Sequence, residues 1–229
     1  MGAGRTILVG WELGGGMGHL ARLLPIMQDL RAQGWRVVAA MRDVKGARQL
    51  FADLISDRDP EGFQLRGGPF LIRSPETAPV RPLHSLGEAL VWLGYADRRA
   101  TGVVVDAWRD IARQVRPDVV LADTAPSLNA AVRGSIPLVA IGNGWVIPPP
   151  GPSIPLIVAD HGDLAYAASS EERVGAAFES AARAPTDGLA GALRGDVTFA
   201  CTPELLDPYR DWRHEPVFWP PLLPPRCLS

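Results

Sequence analysis

Short apolar runs alternate with amphipathic stretches along most of the chain. "TILVGW" (6–11) is an unbroken, β-rich apolar run ending at a turn, the pattern of a strand buried on both faces. Apolar residues then fall at Leu20, Leu23, Leu24, Met27 and Leu30. That spacing draws one helical stripe and predicts a helix over 18–33, stopped by Gly34. "WRVVAAM" (35–41) is the next buried strand. Strand, helix and strand within about forty residues make a βαβ unit with parallel strands and a right-handed crossover.

The alternation continues. It predicts a helix over 44–54, helices over 86–98 and 101–115, a strand at "PDVVLAD" (117–123) and a helix over 125–133 closed by Gly134. A strand at "IPLVAIG" (136–142), a helix over 164–184 and a strand at "DVTFAC" (196–201) follow. Residues 56–82 are rich in glycine, proline and charge, and read as surface loop with one short strand at 70–72. The expected fold class is α/β, a doubly wound Rossmann-like parallel sheet. Prolines crowd residues 148–155, which predicts a stiff extended loop. They crowd 215–229 again, so residues 1–214 are expected to form one domain and 215–229 a proline-rich interdomain linker.

Composition narrows the function classes. The 23 Lys plus Arg nearly balance the 25 Asp plus Glu, so there is no basic excess for a nucleic-acid partner. Two cysteines, Cys201 and Cys227, make no disulfide framework and suit a reducing, cytoplasmic setting. No apolar run approaches the ~20 residues of a membrane-spanning helix. No aspartate-rich metal motif is present, so no metal is expected.

The stretch "GGGMGHLARLLP" (14–25) carries the candidate chemistry. Gly16, Gly18 and Ala21 satisfy a G-x-G-x-x-A dinucleotide fingerprint, and Asp43 stands at the end of the second strand, where a ribose-binding acid belongs. One reading is therefore an NAD(P)-binding oxidoreductase domain. Two features oppose it: Glu12 and Leu13 lengthen the turn, and His19 occupies the place beside a pyrophosphate.

"GGGMGHLARLLPIMQDLRAQGWRV", taken in order with "RPDVVLAD" and "GSIPLVAIGNGW", resembles the N-terminal, acceptor-side domain of GT-B fold glycosyltransferases. The likeness is to nucleotide-sugar-dependent enzymes of the family 1 and family 28 type. It covers most of residues 5–150 and, more weakly, "FACTPELLDPY". The resemblance implies an inverting transfer from a nucleotide-diphosphate sugar, a co-substrate rather than a cofactor, to a small-molecule or lipid-like acceptor. It implies that His19, in the matching Gly-His, is the general base and that Asp123 pairs with it. It also implies a partner, a C-terminal donor domain, without which the isolated chain turns over little. Many relatives carry Asn-Pro two residues after the histidine, where this chain has Ala21-Arg22.

The chemistry is sound by itself. Sugar transfer needs a base for the attacking hydroxyl, and an unperturbed imidazole titrates at ~6.5, near working pH. A carboxylate behind the ring fixes its tautomer and stabilises the imidazolium once formed. Gly14, Gly15, Gly16 and Gly18 let backbone amides approach a diphosphate.

Each residue also has a plainer role open to it. Asp123 could cap the helix that follows it, and the glycines could simply turn the chain. Asn143 and Trp145 line an acceptor pocket or pack their own loop. His84 and His161 read as solvated loop residues, and Trp92, Tyr95 and Trp108 as core. Arg109, Arg113 and Arg116 read as a solvated helix face. A third class, a non-catalytic binding protein that retains the fold, completes the alternatives.

Overall fold

The computed structural model describes residues 4–72, 83–157 and 163–214. His161, Cys227 and the proline-rich tail over 215–229 lie outside the described residues. The strands are β1 (Thr6–Trp11), β2 (Arg36–Met41), β3 (Phe63–Gly67), β4 (Val119–Asp123), β5 (Leu138–Gly142) and β6 (Val197–Ala200). All pair in parallel, in the order β3-β2-β1-β4-β5-β6. The helices are α1 (Gly18–Ala32), α2 (Val44–Leu50), α3 (Leu86–Trp92), α4 (Arg98–Val115), α5 (Pro126–Val132), α6 (Leu164–Ala181) and α7 (Gly188–Ala192). This is the doubly wound Rossmann-like α/β fold.

Strand periodicity splits the core in two. Ile7, Val9 and Trp11 of β1 face one side and meet Leu20, Leu23 and Met27 of α1. Leu8 faces the other side, in a cluster with Trp108 of α4, Leu128 of α5 and Phe178 of α6. Gly10 lies on that second face, where a Cβ would strike Leu128 and crowd the Trp108 ring.

Several expectations shift. The strand expected at 70–72 lies instead at β3. Phe63 and Leu65 are packed with the β2 side chains, in register from Val37↔Phe63 to Met41↔Gly67. Residues 70–72 leave the sheet and wall a cleft. The helix expected over 86–98 ends at Trp92, because Gly94 takes φ 96° and Asp97 caps α4 by accepting from Arg99 N and Ala100 N. The helix over 44–54 closes at Leu50, followed by a 3₁₀ turn at Ala52–Leu54. α7 was not expected, since Gly-Leu-Ala-Gly-Ala shows no apolar stripe.

Among the other residues, Tyr95 and Trp108 are fully buried, whereas Trp92 lines the cleft. His84 is not solvated: its side chain is 12% exposed, with Nδ1 3.9 Å from Glu88 Oε2. Glu88 completes a capping box with Ser85 at the start of α3. Arg109 also departs from the solvated face, donating to Ala181 O at 2.9 Å and tying α4 to α6. Arg113 and Arg116 are exposed.

Candidate active site

Three strands end level at one sheet edge. Trp11 is paired with Met41 across β1 and β2, and with Asp123 across β1 and β4. The loops after these strands therefore open into one crevice, the usual ligand edge of such sheets. Leu121 packs in the cluster beneath α1, so Asp123, two residues on, projects to the same face. The first turn of α1 brings His19 to that face, and Arg22, three residues later, follows it.

His19 Nδ1 lies 3.2 Å from Asp123 Oδ1. Asp123 is 0% exposed and His19 9%. Arg22, also buried, places Nε 3.3 Å from Asp123 Oδ2 and Nη2 3.3 Å from His19 Nδ1. Thr124 Oγ1 donates to Asp123 Oδ1 at 3.0 Å. A ring nitrogen cannot donate to the carboxylate and accept from the guanidinium at once. With Nδ1–H donating to Asp123 Oδ1, the guanidinium pairs with Oδ2 by charge, at 3.3 Å and without a hydrogen bond. That tautomer leaves the lone pair on Nε2.

The capping role considered for Asp123 is not taken up. The N-cap of α5 is Ala125, with no side-chain bond. Between them stands Thr124 at φ 49°, a β-branched residue in the left-handed region. Such a residue carries strain on the order of 1–3 kcal/mol, which clusters at functional sites. Two backbone bonds hold it: Thr124 N donates to Ile141 O at 3.1 Å, and Leu13 N donates to Thr124 O at 2.9 Å.

Trp11 fixes the plane of the imidazole. Their rings stack with centroids 5.0 Å apart and planes 19° from parallel. The indole Nε1 donates to Leu13 O at 2.6 Å, pinning the start of the glycine turn. Glu12, of opposite parity, turns to the other face. There it accepts from Tyr95 Oη at 2.7 Å and Ser127 N at 2.9 Å. Burial pushes the Glu12 carboxyl up to about 7, against the lowering effect of those bonds. Burial and the neighbouring Glu12 push the Tyr95 phenol up, so it remains a donor.

A cleft of about 760 Å³ opens above the imidazole. Its walls are mostly apolar: Leu86, Leu90, Trp92 and Leu93 on one side, Phe70 and Leu71 on another. Gly14, Gly15, Asn143 and Trp145 also line it. Asn143 and Trp145 line this cleft and also belong to a loop that is tied to itself. Asn143 Oδ1 accepts from Val146 N at 3.2 Å within its own loop, and Trp145 is 38% exposed. The loop is held from behind by a buried ion pair, Arg213 Nε to Asp207 Oδ2 at 2.6 Å, with Arg213 Nη2 donating to Ile147 O at 2.7 Å.

Of the glycines, Gly14 has φ 85°, and a Cβ there would collide with His19 Nε2. A Cβ on Gly15, Gly16 or Gly18 would meet nothing within 4 Å among the described residues. Asp43, the ribose-binding candidate, is occupied as the cap of α2, its Oδ1 accepting from Gly46 N at 2.9 Å. Among the described residues no cluster of His, Cys, Asp and Glu could hold a metal ion, and no helix is long and apolar enough to cross a membrane.

Trp11, Arg22 and Thr124, which touch the imidazole or its carboxylate, and Arg42, which lines the cleft, were missed by sequence reasoning. Arg22 carried a signal, its helical spacing from His19. Trp11 carried one only through a strand register that the sequence does not print.

No protein-family model matches the sequence, and no curated protein matches it either. The fold is similar to that of solved glycosyltransferases. One is the glycosyltransferase of kitacinnamycin, at TM-score 0.57 and 18% identity, covering 99% of this chain and 54% of that one. Another is the calicheamicin glycosyltransferase CalG4, at TM-score 0.51 and 16% identity, covering 95% and 53%. The chain spans about half the length of each. At such identities the likeness is one of fold: an α/β Rossmann-like half of a GT-B architecture.

Proposed function

We propose that this chain is the acceptor-binding half of an inverting glycosyltransferase. It moves a sugar from a nucleotide-diphosphate donor to a hydroxyl of a largely apolar acceptor. The observation that carries the reading is the His19–Asp123 contact at the floor of the cleft, 3.2 Å long and backed by a fully buried carboxylate.

In this reading the acceptor lies along the apolar walls with one hydroxyl at His19 Nε2. As the hydroxyl oxygen attacks the anomeric carbon, Nε2 takes its proton. Asp123 stabilises the imidazolium that forms, and the bond from anomeric carbon to diphosphate oxygen breaks. The configuration inverts because attack and departure are on opposite faces. Gly15 lines the cleft, Gly16 and Gly18 follow it with open space at the Cβ position, and in this reading their amide groups face the departing diphosphate. The donor is held mainly by a second domain, so the chain alone has little transferase activity. The dinucleotide reading is weaker, because Asp43 is spent within α2.

The test is His19→Ala in the chain joined to a donor-side domain, with nucleotide release as readout. A base contributes ~10²–10⁴-fold, so turnover falls by that much while acceptor binding persists. Turnover unchanged by the substitution would remove His19 as the base, and no turnover even in the unsubstituted completed chain would favour a binding protein that retains the fold. Saturable NAD(P) binding to the chain alone, lost on changing the glycine turn, would favour the oxidoreductase.

A further inference from the structure

Among the described residues the cleft is apolar almost throughout, yet one guanidinium, that of Arg42, faces into it. Arg42 follows the last residue of β2, and its backbone N–H donates to Trp11 O at 3.1 Å, which fixes it at the same sheet edge as His19. Its guanidinium lies over the Phe70 ring, 4.7 Å from the centroid, and Nη1 reaches Glu12 O at 3.5 Å. Both Arg42 and Phe70 line the cleft.

Among the described residues no carboxylate pairs with this guanidinium. The two nearest in sequence are committed elsewhere. Asp43 caps α2, and the Glu12 side chain is bound by Tyr95 and Ser127 on the other face of the sheet. A cation held against apolar walls without a counter-ion is incompletely solvated. A planar fork of donors over an aromatic ring is a ready seat for a carboxylate. The Ala21-Arg22 position does not compete for this role, because Arg22 is engaged by Asp123.

We infer that the acceptor is an amphiphile carrying an anionic group, a carboxylate by the chemistry of the fork, which Arg42 binds while the apolar walls hold its body. The inference rests on reading the cleft as the acceptor site, and it names the chemical class of that acceptor. Arg42 is then a specificity-determining residue. It contributes to which molecule enters, and not to the proton transfer at His19.

Binding to the chain itself tests this without any transfer. ω-Hydroxydecanoate and its methyl ester share one apolar body and one hydroxyl, and differ in the anion. Tryptophan fluorescence follows them, since Trp92 and Trp145 line the cleft. The acid binds roughly tenfold or more tightly than the ester, as expected for a charge-assisted hydrogen bond. Arg42→Gln abolishes that preference and leaves ester binding within about twofold. Arg42→Lys retains part of it, and His19→Ala retains all of it. Circular dichroism on each variant checks the fold.

Equal binding of acid and ester, no binding of either, or a preference that survives Arg42→Gln overturns the inference. Arg42-dependent binding of inorganic diphosphate, with no preference for acid over ester, overturns it too, because the guanidinium would then serve a donor phosphate. An acid preference in a completed chain that shows no transfer at all would sink the transferase reading and leave this one standing.

Discussion

A side chain at Gly14 would occupy the space taken by His19 Nε2. The glycine turn and the imidazole thus fit together as one unit. The nitrogen that bears the lone pair is reached across a position with no Cβ, at φ 85°.

Gly14→Ala therefore does two things. It strains a left-handed backbone position by about 1 kcal/mol, and it pushes the ring off Asp123. Turnover of the completed enzyme is expected to fall by at least ~10²-fold, with Tm lowered by only a few degrees. Gly15→Ala, with open space at the Cβ, separates the effects: its Tm is unchanged. A Gly14→Ala variant with full turnover would mean that Nε2 is not the working atom.

Asp123→Asn keeps the shape of the carboxylate and removes its charge. The amide can present its NH₂ to Nδ1, which selects the wrong tautomer, and it leaves Arg22 buried without its ion pair. A loss of about 10³–10⁴-fold in kcat, with little change in acceptor KM, is expected from the role of such a carboxylate. A rise in KM alone would assign Asp123 to binding.

Glu12 makes stability depend on pH. Its folded-state pKa is raised from 4.5 to about 7 by burial, so the folded chain holds this proton over a range where the unfolded chain has lost it. The stabilising contribution is complete below about pH 4.5 and is lost as pH rises through about 7. That amounts to roughly 3 kcal/mol across the window. Urea melts at closely spaced pH values should show the decline, and Glu12→Gln, which mimics the protonated acid, should flatten it. An identical slope in the variant would place the titrating group elsewhere.

The Asp207–Arg213 pair holds the loop that carries Asn143 and Trp145. Arg213→Met leaves a buried carboxylate unpaired, and one-sided removal of such a pair costs about 3–5 kcal/mol. Tm should fall by roughly 10 °C. Adding Asp207→Leu should recover part of the loss, because no buried charge is then left alone. A thermal melt on the three variants reads this directly.

Local pattern determined much of this protein. The spacing of Leu20, Leu23, Leu24 and Met27 fixed α1, and "TILVGW", "WRVVAAM" and "VVLAD" fixed three strands, because a buried stripe or run depends only on neighbours in sequence. The Gly-His turn and the terminal aspartate of β4 marked His19 and Asp123 as candidates, and the parallel sheet implied a shared edge.

What only the tertiary structure decided depends on contacts between distant segments. β3 is an edge strand whose Phe63-Gln64-Leu65-Arg66 alternation runs for only two periods inside a glycine-, proline- and charge-rich stretch, and its pairing with β2 is what defines it. The stacking of Trp11 on His19 and the separation of Glu12 from Asp123 to opposite faces follow from strand parity set against a particular register. The cleft wall and the cation–π seat of Arg42 come from a loop, residues 70–72, that carries no periodic signal. Burial of a side chain is a property of its partners, and sequence order alone does not name them.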